Sequence, residues 1–321
     1  MRQLGLALTT GYVLVFFSER LFWSTFRPGD SLVDYLVTWL AYSVLAYLLL
    51  ATVSVFRVRH VYAVFVAGAV YGWLVEGGIA ATLYGTEASA PFPLCLLCTA
   101  VSWHAPISVL VGWYLARRVL DRNDGWRTLA LATGIGLFWG WWAPFLWAET
   151  PPVVTPIASF LASACAMTAL LVLSYWASER LGRRGFRPTW LGLTVCVAVV
   201  GLFYVQHMIA LGVGRVVILP LLLVAGCAVL MRYLTACAPP EPTTPAPSAC
   251  TARNYLALMA TPVVATGAYS VAMLVGPGAA KVHVAIWWAS IVLGGALLAW
   301  SATMILISPA RKTRCGEAET Q

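Results

Sequence analysis

Ten stretches of about twenty mostly apolar residues run through this chain, each long enough to cross the hydrocarbon core of a bilayer as a helix. They fall near 4–26, 33–56, 61–85, 94–116, 128–148, 156–178, 189–212, 215–235, 255–276 and 282–308. Helices are expected because backbone groups in lipid must bond within their own segment unless a barrel closes. A barrel needs short strands of alternating polarity, and these runs are long and unbroken. Composition agrees: 61% of the residues are hydrophobic and 10% charged, against roughly half and a quarter in soluble domains. The expected fold is an all-α integral membrane protein, a polytopic bundle of about ten transmembrane helices.

The net charge of +8 suits nucleic acid only if the basic residues gather on one surface. Here they occupy alternate loops. Arg2, Arg57, Arg59, Arg117, Arg118, Arg122 and Arg127 fall on one side, followed by Arg180, Arg183, Arg184, Arg187, Arg232, Arg253, Arg311, Lys312 and Arg314. The other side holds Arg27, Arg215 and Lys281, and Arg20 lies within the first segment. This is the positive-inside pattern. It places both termini in the cytoplasm, makes anionic membrane lipids the natural partners of the basic loops and leaves no nucleic-acid role. The start of the chain resembles a signal peptide, but "SERLFWSTF" follows with no small-residue cleavage site, so an uncleaved first helix in the cytoplasmic membrane is expected.

The linker 235–254, "TACAPPEPTTPAPSACTARN", carries five prolines and no apolar periodicity, which marks an extended connection. It divides an eight-helix core (1–234) from a final two-helix hairpin (255–308) and a tail (309–321). A cytoplasmic partner at this linker is an open alternative to a tolerated insertion. Gly68-x-x-x-Gly72-Trp73 and Gly136-x-x-x-Gly140-Trp141 echo each other in the third and fifth segments. Paired small residues of this kind let helices approach closely in lipid.

Polar residues at depth are costly and mark function by default. Glu76, in "VYGWLVEGGIAATLYG", lies about 15 residues into the third segment, roughly 22 Å along its axis, past the midplane. His104 lies near the midplane of the fourth, in "SWHAP". Consecutive segments joined by a short loop are antiparallel neighbours, so the two are expected to meet and handle a proton, as the catalytic pair. Trp73, Trp103, Trp141, Glu149 and His207 are the expected substrate contacts at the same or an outer level. Glu19, Arg20, Asp34 and His283 read as interfacial, where polar groups are ordinary. Pro106 is expected to disturb the helix just beyond His104.

Cys95 and Cys98 form C-x-x-C, placed by the apolar run at the outer end of the fourth helix. That placement resembles the redox pair of membrane disulfide-forming quinone oxidoreductases, but no second outward pair accompanies it, and plain packing is favoured. There is no P-loop, Rossmann glycine pattern or H-E-x-x-H, and no spacing of metal ligands. No cofactor is singled out. The expected function is ion-coupled transport of a small or amphipathic solute. The alternatives are a membrane-embedded enzyme acting on a lipid or prenyl substrate, and a non-catalytic subunit of a membrane complex.

Overall fold

A computed structural model of the chain describes residues 1–23, 31–87, 90–144, 154–182, 185–237, 250–276 and 278–309. Among these residues there is no strand. Helix α1 (Arg2–Ser18) runs into a 3-10 turn, Arg20–Phe22. Helix α2 (Leu32–Val55) starts at a capping box, in which the Ser31 hydroxyl accepts from the Asp34 N–H and the Asp34 carboxylate accepts from the Ser31 N–H at 2.8 Å. Helix α3 (Val61–Trp73) widens into π winding over Leu74–Ile79. Helix α4 is π-wound over Ala100–Leu115 and finishes as α-helix over Ala116–Asp121. Then come α5 (Gly125–Trp142), α6 (Ile157–Gly182), α7 (Trp190–Leu211) and α8 (Ile218–Ala236). Last are α9 (Ala252–Leu258, continued by Ala260–Val275) and α10 (Gly278–Leu306).

Among the described residues, nine helices are long and apolar enough to cross a membrane. The exception is α5. It is an 18-residue helix whose four tryptophans, four glycines and Arg127 dilute its apolar content. The ten expected spans therefore become nine apolar helices and one more polar one, and residues 145–148 of the expected fifth span lie outside the described residues. The disturbance expected at Pro106 takes the form of π winding along Ala100–Leu115, with Pro106 inside it. Such winding gathers at functional sites.

Helix α3 is the axle of the bundle. In its most apolar stretch 83% of the residues are buried, against 11% in α7 at the periphery. Glycines set its contact with α4. A β-carbon on Gly68 would lie 3.0 Å from the Ala105 Cα, and one on Gly72 would lie 2.2 Å from the Ala100 carbonyl oxygen. The echo in α5 plays the same part with a different partner, because Gly136 and Gly140 bed against Thr261, Val264 and Ala265 of α9. A second core joins Phe16 and Phe17 of α1, Trp139 of α5, Phe160 of α6 and Tyr269 of α9.

The last two helices pack into the body, α9 on α5 and α6, and α10 on α3, α4 and α8. The end of the linker is tied down as well. Asn123 Oδ1 accepts from the Thr251 N–H at 2.8 Å and from Asn254 Nδ2 at 3.1 Å. Residues 238–249 lie outside the described residues. Large apolar side chains such as Ile209, Val224, Leu274 and Val292 stand more than half exposed on the outer helices. A water-soluble monomer does not present so much apolar surface, so these helices suggest a multi-pass membrane protein.

Candidate functional site

Five helices converge at one end of the bundle: the C-terminal ends of α1, α3 and α5 and the N-terminal ends of α4 and α10. Between them lies a cavity of about 730 Å³. Glu76, on the π turn that extends α3, and His104, on π-wound α4, both reach it and are both buried. The structure brings them into direct contact, with His104 Nε2 2.7 Å from Glu76 Oε1. A carboxylate only accepts hydrogen bonds, so Nε2 is assigned the hydrogen and donates it. The Thr82 hydroxyl donates to the other carboxylate oxygen. A buried acid held this way has partners on both oxygens, which is what makes its burial tolerable.

The far side of the imidazole is also engaged. The Ser18 hydroxyl of α1 lies 3.2 Å from His104 Nδ1 and 2.8 Å from the Ser108 hydroxyl, one turn further along α4. The edge of Tyr71 packs against the His104 ring at 5.8 Å. Three helices thus meet at one histidine: α3 supplies its carboxylate, α1 its hydroxyl, and α4 carries it.

Aromatic rings form much of the cavity wall. Trp103 sits 4.8 Å from Trp142 and 4.7 Å from Phe22, ring centre to ring centre. Trp287 and Trp288 of α10 also line the cavity. His283, one turn before them, reaches the Trp141 carbonyl with Nε2 at 2.8 Å and fastens the start of α10 to the end of α5. Glu19 also lines the cavity and accepts from the Tyr42 hydroxyl at 2.7 Å. Glu87 stands at the exposed edge. Glu19 and His283, read from the sequence as interfacial, both line the cavity. Arg20, next to Glu19 in the chain, turns elsewhere, its guanidinium 3.9 Å from the centre of the Tyr35 ring.

Of the expected substrate contacts, Trp103 lines the cavity. Trp73 does not; its indole N–H donates to the Leu96 carbonyl at 3.1 Å and holds the chain ahead of α4 onto α3. Trp141 also lies off the lining, which takes its neighbour Trp142, because adjacent residues of a helix point about 100° apart. His207 packs against Tyr84 at 6.1 Å, away from the cavity lining. Glu149 lies outside the described residues.

Cys95 and Cys98 do not start a helix. They sit in and just after the 3-10 turn Leu94–Leu96, ahead of α4, as buried free thiols packed with Ala90, Ile291 and Trp287. Among the described residues no group of three His, Cys, Asp or Glu side chains has the geometry to hold a metal ion.

Sequence reasoning missed Ser18, Thr82, Trp287 and Trp288. The only hint for the last two is their position a single turn after His283. No known protein family, no curated protein and no solved structure matches this chain.

Proposed function

We propose that the chain is a multi-pass protein of the cytoplasmic membrane, with both termini on the side of the basic loops, and that it moves a small or amphipathic solute coupled to a proton. Glu76 takes up and releases the proton, and His104 shares it. The observation that carries this reading is the buried Glu76–His104 pair lining a cavity of about 730 Å³ walled by aromatic rings. A cavity of this size falls within the range that holds small-molecule ligands, and a deep acid with a histidine partner is the kind of arrangement that proton relays in membranes use. On the positive-inside orientation the cavity faces outward.

The test is proton flux in sealed vesicles under an imposed pH gradient, with a panel of amphipathic solutes, for wild type and Glu76→Gln. A solute that dissipates the gradient with wild type and not with Glu76→Gln supports the reading. Equal flux through both proteins defeats it.

One observation favours a second reading, an enzyme acting on a lipid or prenyl compound. The two helices that carry the pair are interlocked at Gly68 and Gly72, which fixes Glu76 and His104 relative to one another as general acid–base groups require. An enzyme forms product in detergent, where a transporter has no gradient to show.

A further inference from the structure

Polar groups continue along α4 away from the Glu76 site. His104 and Ser108 are followed, a further turn on, by Gly112, whose carbonyl accepts from the buried Tyr175 hydroxyl of α6 at 2.5 Å. Arg117 and Asp121 come next, at the end of α4. Together with Tyr175 and Glu179 of α6 and Tyr255 of α9 they line a second cavity, of about 70 Å³. That is room for more than one water molecule. The side chains grade from water inward: Asp121 is exposed, Glu179 is half-buried and Tyr175 is 3% exposed. Glu179 also accepts from the Tyr255 hydroxyl at 2.7 Å. On the positive-inside orientation this end of the bundle is cytoplasmic.

Gly112 is where the two polar regions come nearest, and an aromatic ring occupies the place. Phe17, the residue before Ser18, packs on Gly112 so closely that a β-carbon there would lie 2.4 Å from its Cδ2. The ring is 1% exposed. On one side of it the hydroxyl row runs from His104 through Ser18 to Ser108. On the other side Tyr175 begins the second cavity. Chains of acids, histidines and hydroxyls are what membrane proteins use to carry protons, and an apolar ring that excludes water interrupts such a chain.

We infer that the second cavity is the cytoplasmic proton port of the Glu76 site, and that Phe17 is the barrier between them. The inference rests on the reading of Glu76 as a proton carrier and names its exit. Protonated Glu76 gives its hydrogen to His104 Nε2 as the Nδ1 hydrogen passes to Ser18. Ser18 gives its own to Ser108, and Ser108 releases one to water that enters when Phe17 moves. Glu179 accepts that proton at the port. One proton leaves, and Glu76 is left as the carboxylate.

The experiment reads the protonation of Glu76 from each side of a sealed membrane. Dicyclohexylcarbodiimide couples to protonated carboxyl groups in apolar surroundings, and peptide mass spectrometry gives its yield at Glu76. Right-side-out and inverted vesicles are held at one pH on one side while the other side is varied. In wild type the yield is expected to follow the pH of either side. Tyr175→Phe and the surface change Asp121→Asn are expected to weaken the response to cytoplasmic pH severalfold and to leave the response to outer pH intact. General damage to the fold would alter both. Phe17→Leu, with a smaller side chain on Gly112, is expected to strengthen the cytoplasmic response.

A wild-type yield that follows outer pH alone overturns the port and keeps the proton role of Glu76. A cytoplasmic response that Tyr175→Phe and Asp121→Asn both leave intact also overturns the port, and no gain in Phe17→Leu overturns the barrier. A yield indifferent to pH on both sides removes the proton role itself, and the port with it.

Discussion

Gly72 of α3 rests against the Ala100 carbonyl of α4 so closely that a β-carbon at position 72 would stand 2.2 Å from that oxygen. Four residues on, α3 carries Glu76, and four residues on, α4 carries His104. The contact is backbone against backbone, so no side chain can swing aside to relieve it. Gly72→Ala must push the two helices apart and is expected to cost about 1–3 kcal/mol. Gly134 of α5 has open space around it, and Gly134→Ala is expected to be neutral or to gain up to about 1 kcal/mol of helix propensity. Thermal unfolding of the two variants in one detergent reads the contrast.

Glu76→Gln and Glu76→Leu separate the charge from the hydrogen bond. Glutamine keeps an oxygen to accept from His104 Nε2, and its amide nitrogen, in place of the other oxygen, donates to the Thr82 hydroxyl. Leucine leaves a buried imidazole N–H with nothing to bond, which costs about 1–3 kcal/mol. The expected order of melting temperatures is wild type close to Gln, with Leu well below. Both variants are expected to lose proton uptake measured with a pH dye. A leucine variant as stable as the glutamine variant would mean that water, not Glu76, satisfies His104.

Asn123 closes the linker onto the bundle. Its side-chain oxygen takes two hydrogen bonds, and its backbone sits at φ 52°, in the left-handed region that asparagine tolerates better than most residues. Asn123→Ala loses both bonds and strains the turn. The expected cost is about 1–3 kcal/mol, seen as a lower melting temperature and faster proteolysis between α8 and α9. Asn123→Gly relieves the strain and is expected to recover part of the loss.

Cys250 offers a check by reactivity. Burial pushes its thiol pKa up, and the nearby Glu179 carboxylate pushes it further. A raised pKa means less thiolate at a given pH, and the thiolate is the nucleophile. At pH 8, alkylation of Cys250 by iodoacetamide, followed peptide by peptide in a mass spectrometer, is expected to be slower than that of an unstructured cysteine. Glu179→Gln is expected to speed it. An unchanged rate in that variant would show that access, not charge, controls this thiol.

The helices were legible because hydropathy is a property of the whole segment, and Glu76 and His104 because a polar residue at depth is conspicuous by its cost. Rotation about a helix axis was not legible. Trp141 and Trp142 are chemically alike, and only packing of α5 against α1 and α9 decides which one faces the cavity. Trp287 and Trp288 come from the far end of the chain, and no local pattern ties them to residues near 76 and 104. The π winding of α4 has Pro106 as its one marker, whereas the winding extends over sixteen residues.

The hydroxyls behind His104 give the site a direction. With Nε2–H committed to Glu76, Nδ1 offers only a lone pair, so Ser18 donates to it and in turn accepts from Ser108. The hydrogen bonds then run one way, from Ser108 of α4 to Ser18 of α1, back to His104 of α4 and on to Glu76 of α3. For Glu76 to donate to Nε2 instead, the imidazole hydrogen must sit on Nδ1, and Ser18 then accepts from it. One set of heavy-atom positions therefore accommodates two hydrogen-bond polarities, one with Glu76 accepting and one with Glu76 donating.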